Sequence, residues 1–173
     1  LHGYLPNLQG LNLTDARIVA GGDSYHQWEV SANGTAKENT YYGPWNTQDD
    51  VVGYAMFYNM PSLTSISLPK GTKTIDQYAL AQDRNTNYRL AHVDIPASVT
   101  TIAKYAFHYT GITEVTVPSG VTRIEENTFA NCRKMQRAVL PDAVTFIGNS
   151  AFSECQELRD VNIPANVETI DTS

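Results

Sequence analysis

The sequence predicts an α/β repeat solenoid, a right-handed superhelix with a parallel sheet of short strands on its concave face. Three observations predict it: regularly spaced prolines, apolar residues at constant distances from each proline, and a phenylalanine that closes most units. The prolines are separated by 27, 22, 23 and 23 residues, and they are Pro69, Pro96, Pro118, Pro141 and Pro164. Units this short cannot bury an apolar side alone, so neighbouring copies must stack to share one core.

Apolar residues recur at six positions relative to each proline, and Thr72 is the one polar exception. Three of these positions precede the proline within a strand-like LxxIxLP segment, and three follow it. The predicted core residues, unit by unit, are Leu63, Ile66, Leu68, Ile75 and Leu80; Leu90, Val93, Ile95, Val99, Ile102 and Phe107; Ile112, Val115, Val117, Val121, Ile124 and Phe129; Met135, Ala138, Leu140, Val144, Ile147 and Phe152; Leu158, Val161, Ile163, Val167 and Ile170.

Each unit is predicted to contain a strand, a back segment and a short helical turn. The strand ends at its proline, because proline has no N–H to give to a sheet ladder. The VxxI segment then turns the chain on the back of the coil. Segments such as AKYAFHY and EENTFAN are predicted to place one phenylalanine in the core from a helical turn. Copies of the strand should pair in parallel, about 4.8 Å apart.

The units IPASVTTIAKYAF, VPSGVTRIEENTFANC and LPDAVTFIGNSAFSEC resemble the BspA-like leucine-rich repeats, also called the Treponema pallidum type. The resemblance extends from about Val52 to Ile170 and is looser from Leu8 to Val19. The opening LQGLNLTDARIVAGG is similar to a segment found in Bacteroides members of that family. The resemblance implies a bacterial cell-surface or secreted protein that serves as an adhesin or interaction module.

The chain divides into three predicted parts. Residues 1–19 are a partial N-terminal repeat, residues 20–51 an irregular aromatic-rich insertion, and residues 52–173 about five repeats of which the last is truncated. Within the insertion, Gly21-Gly22 and Asn33-Gly34 are turn signals on either side of the strand-like WEV. This arrangement predicts a small hairpin.

The repeats also depart from their period in three places. Residues 81–90 hold four extra residues, which predicts a polar loop that bulges outward. One residue is missing near Thr110-Gly111, which should tighten that corner. The segment that would close the coil after Ile170 is absent, which predicts a longer parent protein or end-to-end association of this chain.

Composition and motifs argue against several functional classes. The net charge is −6 and the pI about 5.1, whereas nucleic-acid partners usually meet a basic surface. No apolar run approaches the ~20 residues that cross a bilayer, so no membrane insertion is predicted. The sequence contains neither HExxH nor GxSxG, so no enzyme activity, cofactor or metal is predicted. His92 near Asp94 and Glu114 is only a weak metal signal.

The two cysteines, Cys132 and Cys155, occupy the same position in neighbouring repeats. Adjacent coils would bring them close enough for a disulfide or redox pair. The favoured interpretation is two buried thiols that fill a corner taken elsewhere by small or soft residues.

Two surfaces are predicted as candidate ligand-binding sites. The concave face should align polar residues, among them His92, Asp94, Glu114, Arg137, Arg159 and Asp160. The aromatic insertion contributes Trp28, Tyr41, Tyr42 and Trp45, which are typical anchors for proteins and stack on sugars.

Three functional hypotheses remain open. The first is a non-enzymatic surface or secreted module that binds a protein, such as a host extracellular-matrix or cell-surface protein. The second is a carbohydrate-binding module built on the aromatic insertion. The third is a structural spacer within a larger surface protein.

Overall fold

The computed structural model describes residues 7–25, 28–30, 36–38, 45–84 and 88–171. For the described residues between 21 and 47, it gives the backbone path alone. Within this part of the chain, no helix has the length and apolar character needed to cross a membrane. The described strands are β1 (Gly10–Asn12), β2 (Gly21–Tyr25), β3 (Trp28–Val30), β4 (Ala36–Glu38), β5 (Trp45–Thr47), β6 (Val51–Val52), β7 (Ser65–Ser67), β8 (Thr74–Ile75), β9 (His92–Asp94), β10 (Thr101–Ile102), β11 (Glu114–Thr116), β12 (Arg123–Ile124), β13 (Arg137–Val139), β14 (Phe146–Ile147), β15 (Asp160–Val161) and β16 (Thr169–Ile170).

The parallel strands form two faces of a solenoid. The front face consists of the LxxIxLP strands β1, β7 and β9 in one sheet and β11, β13 and β15 in another. The back face consists of the two-residue strands β6, β8 and β10 and then β12, β14 and β16. Ser65 lies opposite His92, and Arg137 lies between Glu114 and Asp160. The register predicted from the prolines is therefore confirmed within each front sheet.

Hydrogen bonding on the front face is interrupted between β9 and β11, which belong to separate sheets. Alternate residues of a parallel strand bond to opposite neighbours, so the backbone groups of Val93, Glu114 and Thr116 face this break. Val93 and Ile95 are partly exposed, although the equivalent residues of both flanking coils are buried. The solenoid thus has a discontinuity that the regular repeat did not predict.

The third side of each coil is a stack of β-turns rather than the expected helical turn. Residues two positions before and after Phe107 have positive φ, namely Tyr105 (61°) and Tyr109 (59°), and the pattern recurs in other coils. Left-handed residues four positions apart prevent an α-helix in this segment, because a helix needs successive right-handed residues. The Tyr105 N–H instead donates to Glu126 O of the next coil at 3.2 Å. No α-helix occurs among the described residues, so the α/β prediction is not confirmed and the described coils are all-β.

The predicted apolar positions form one continuous core. Phenylalanines of successive coils stack along it, with ring centroids 5.2 Å apart for Phe107 and Phe129 and 5.4 Å for Phe129 and Phe152. Two positions of the last coil are exceptions, since Ile163 and Ile170 are 53% and 55% exposed. No further described coil covers them.

The insertion between β1 and β6 is antiparallel. Strand β3 pairs with β4, and β2 pairs with β5 so that Tyr25 lies opposite Trp45. The predicted hairpin is confirmed. The turn predicted at Gly21-Gly22 is wrong, because both glycines lie within β2.

The first residues of the loop with the extra residues pack against the solenoid, while residues 85–87 of the predicted outward bulge lie outside the described residues. Gln82 is buried and its Nε2 donates to Leu80 O at 3.0 Å. Further along, Tyr88 lies directly over Gly111, where an added Cβ would come within 1.8 Å of the Tyr88 carbonyl oxygen. The shortened corner therefore makes room for the loop, and only glycine fits there.

Candidate functional site

Three charged side chains alternate in sign across the front strands β11, β13 and β15. Arg137 Nε lies 3.0 Å from Asp160 Oδ2, and both side chains are exposed. Within the described residues Glu114 makes no ion pair, although it lies beside Arg137 in register. Arg159 is also exposed. Exposed pairs contribute little to stability, so this row offers charge to solvent rather than holding the fold.

A second polar group lies on β7 and β9. Ser67 donates a hydrogen bond to Asp94 Oδ2 at 2.5 Å, and His92 Nε2 lies 2.9 Å from Asp94 Oδ1. The hydrogen bond from Ser67, with a smaller effect of His92, lowers the pKa of Asp94. The break between β9 and β11 separates this group from Glu114 in the sheet. Among the described residues, no three histidine, cysteine or carboxylate side chains are grouped as metal ligands.

Cys132 and Cys155 are free thiols. Each thiol donates to the phenylalanine carbonyl of the preceding coil, Cys132 to Phe107 O at 3.1 Å and Cys155 to Phe129 O at 3.2 Å. Burial raises the pKa of both thiols, that of Cys155 to about 11. Protonated thiols are poor nucleophiles and ligands, which favours the interpretation as structural thiols; Cys132 is buried and Cys155 half-buried.

The aromatic candidates of the insertion are placed only in part. Trp28 begins β3, and Trp45 begins β5 opposite Tyr25. Tyr41 and Tyr42 lie outside the described residues. The four candidates therefore remain a prediction from the sequence.

A contiguous aromatic surface runs over the turn side of the first coils. We call it the tyrosine row and define it as Tyr54, Tyr58, Tyr78, Tyr105, His108, Tyr109 and Tyr88. Tyr78 and Tyr105 stack with centroids 5.0 Å apart and planes 20° apart. His108 then joins Tyr105 to Tyr109, and Tyr109 lies 6.2 Å from Tyr88. Every ring in the row is partly exposed.

Four rings of this row belong to residues in an unfavourable backbone conformation, among them Tyr88 with a φ of 53°. Tyr78, Tyr105 and Tyr109 have φ of 57°, 61° and 59°. The next coil places Asn127 and Asn131 at the corresponding positions, and asparagine tolerates this region best among residues with a side chain. The row does not appear as a local aromatic cluster in the sequence and was therefore not predicted. The available signal was register, since Tyr78 and Tyr105 both stand two residues before the phenylalanine position of their units.

Cations lie at the end of the tyrosine row. We define the basic corner as Arg89, Arg133 and Lys134, all exposed. Arg133 Cζ is 5.8 Å from the centre of the Tyr88 ring, and Lys134 Nζ donates to Tyr88 O at 3.3 Å. None of the three cations forms an ion pair with another described residue. Within the row, burial lowers the pKa of His108, so its ring is neutral at pH 7.

Known proteins share this architecture. The family described as BspA type leucine rich repeat region matches residues 50–173 in six copies. The chain is similar to the crystal structure of a T. pallidum leucine-rich-repeat protein, at 21% identity over 86% of this chain and 79% of that one, with a TM-score of 0.61. It is also similar to a leucine-rich cell surface protein from Faecalibacterium prausnitzii, at 22% identity over 78% of this chain and 37% of that one, with a TM-score of 0.58. No curated protein matches the chain. At these identities the two structures support the fold alone, and the repeat match carries the assignment: the chain belongs to the BspA-type leucine-rich-repeat family.

Proposed function

We propose that this chain is a non-enzymatic interaction module, secreted or displayed on a bacterial cell, whose front face binds a protein partner. One observation carries the proposal: exposed polar side chains are held in register on parallel strands. His92 and Asp94 lie on β9, which pairs with β7, and Glu114, Arg137 and Asp160 lie opposite one another on β11, β13 and β15, with Arg159 directly before β15. Such a row gives a partner fixed positions of alternating charge, which favours specificity and association rate. The family's repeats and the cell-surface name of the F. prausnitzii relative support the location.

The chemistry of the described side chains favours binding over catalysis. A serine nucleophile needs a base that accepts its proton. Ser67 donates instead to Asp94, the carboxylate that also contacts His92, so these three residues are not arranged as a relay. The cysteine thiols are protonated at neutral pH because burial raises their pKa.

Charge reversal on the front face tests the proposal. We expect Arg137→Glu and Asp160→Arg each to weaken binding to a panel of immobilised extracellular-matrix proteins by about tenfold or more, the scale of a contributing charge pair at an interface. The double variant restores the ion pair of the free protein but inverts its polarity, so it should remain weak. Arg123→Glu on the back face, beside Glu125, is the matched control. Normal binding by the Arg137 and Asp160 variants would contradict the proposal.

The second candidate function is carbohydrate binding by the insertion. It is supported by the antiparallel strands that carry Trp28 and Trp45 and by the position of Trp45 opposite Tyr25. Loss of glycan-panel binding in Trp28→Ala, Trp45→Ala, Tyr41→Ala or Tyr42→Ala would favour it. If neither the matrix-protein panel nor the glycan panel binds, the spacer hypothesis is favoured.

A further inference from the structure

We infer that the tyrosine row and the basic corner together bind an acidic polysaccharide. Its sugar rings would lie along the tyrosines, and its carboxylate or sulfate groups would meet Arg133 and Lys134. This surface shares no residue with the front face or with the insertion, so the inference stands or falls independently of the proposed function.

The first argument is the backbone conformation of the tyrosines. A side chain in the left-handed region is disfavoured, and a bulky aromatic residue is found there rarely. Yet Tyr78, Tyr105 and Tyr109 occupy such positions, where the same fold uses Asn127 and Asn131 one coil later. The turn therefore does not require a ring at these positions. The positive φ belongs to the turn in the other coils as well, so the unusual feature of these coils is the bulky aromatic side chain placed there.

The second argument is the chemistry of the row. A sugar ring presents an apolar face of C–H groups and a rim of hydroxyls. Partly exposed tyrosines match both, because the ring is apolar and the hydroxyl donates and accepts. Polar groups border the rings, with Glu126 Oε1 3.2 Å from the Tyr105 hydroxyl and Asn131 Nδ2 3.2 Å from His108 Nε2. A protein partner would instead require anchors that become fully desolvated in packed pockets.

The third argument is charge. The chain is acidic overall, yet Arg133 and Lys134 lie against Tyr88 and Arg89 follows it in the chain, and no described carboxylate forms an ion pair with any of the three. Two of these cations are placed by direct contact with Tyr88, the last ring of the row. A ligand that follows the rings thus reaches the cations, and arginine and lysine both bind carboxylate and sulfate-like groups.

The experiment measures binding of the full chain to immobilised heparin and polygalacturonate by surface plasmon resonance. Heparin carries sulfate and carboxylate groups and polygalacturonate carboxylate alone, so the two probes separate the anionic groups. Tyr78→Asn with Tyr105→Asn should lower the affinity for the bound polysaccharide about tenfold or more, without lowering the melting temperature, because asparagine suits these turns. Arg133→Ala with Lys134→Ala should lower it similarly and weaken its salt dependence.

The matched control removes two exposed cations from elsewhere on the chain, by Arg17→Ala with Lys73→Ala. It makes the same change in net charge and should leave the affinity within about twofold, since distant exposed charges are largely screened. Dextran tests a neutral sugar, and polyglutamate and a single-stranded oligonucleotide test other anions. The inference is overturned if neither acidic polysaccharide binds, if the tyrosine variants bind normally, or if polyglutamate or the oligonucleotide binds equally well.

Discussion

Replacing Thr72 with valine should stabilise the protein. Thr72 occupies a core position that other coils fill with Val99, Val121 and Val144, and it is 1% exposed. Among the described residues, its Oγ1 is the one buried side-chain polar atom without a hydrogen-bond partner. A buried hydroxyl without a partner costs about 1–3 kcal/mol, and valine has nearly the same shape without that group. For a chain of this size, a gain of about 2 kcal/mol corresponds to a rise in melting temperature of roughly 4–8 °C.

Thermal and urea unfolding followed by circular dichroism would measure this difference, and Thr128→Val is its matched control. Thr128 is equally buried, but its hydroxyl donates to Glu125 O at 2.8 Å. Thr128→Val should therefore lower the protein's free energy of unfolding by about 1 kcal/mol, because it removes this hydrogen bond. The reasoning is refuted if Thr72→Val destabilises the protein or if both variants shift stability in the same direction.

Two further predictions concern the sheet break and the buried thiols. In native-state hydrogen exchange, the amides of Glu114 and Thr116 should exchange faster than the amide of Val115 in the same strand. The reason is that only the Val115 amide faces the paired strand β13. Equal protection of the three amides would contradict the break between β9 and β11. Stability should fall as the pH rises from about 9 to about 11, because the raised pKa of Cys155 leaves the folded chain with more bound protons than the unfolded chain. Urea titrations across this range should show a smaller decline for Cys155→Ser than for the unsubstituted protein.

The parts of the fold that were predicted correctly are those that repeat along the chain. The proline spacing placed Glu114, Arg137 and Asp160 side by side, and the structure pairs them in that register. The same spacing placed His92 beside Glu114, but β9 and β11 do not pair. The shortened, loop-bearing coil lies at this junction, and the effect of its length on pairing is not visible in a list of apolar positions.

The helical turns were predicted incorrectly for a related reason. Apolar spacing around Phe107 and Phe129 is compatible with a helix or with consecutive turns, because both bury one side chain per segment. The choice depends on backbone angles, which here are set by bonds to the next coil, as from the Tyr105 N–H to Glu126 O. Those bonds exist only after the coils have stacked.

The sequence by itself determined the period, the core positions and the strand register within each sheet, since these follow from which residues must leave water in each short unit. Only the tertiary structure decided the break in the front sheet and the stacked turns. It also decided that the Thr72 hydroxyl lacks a hydrogen-bond partner and that the tyrosine row contacts the basic corner. Each of these depends on atoms from different coils, as in Lys134 and Tyr88, which are 46 residues apart in sequence and 3.3 Å apart in space. Contacts of this kind arise from how coils of unequal length stack, which no single repeat encodes.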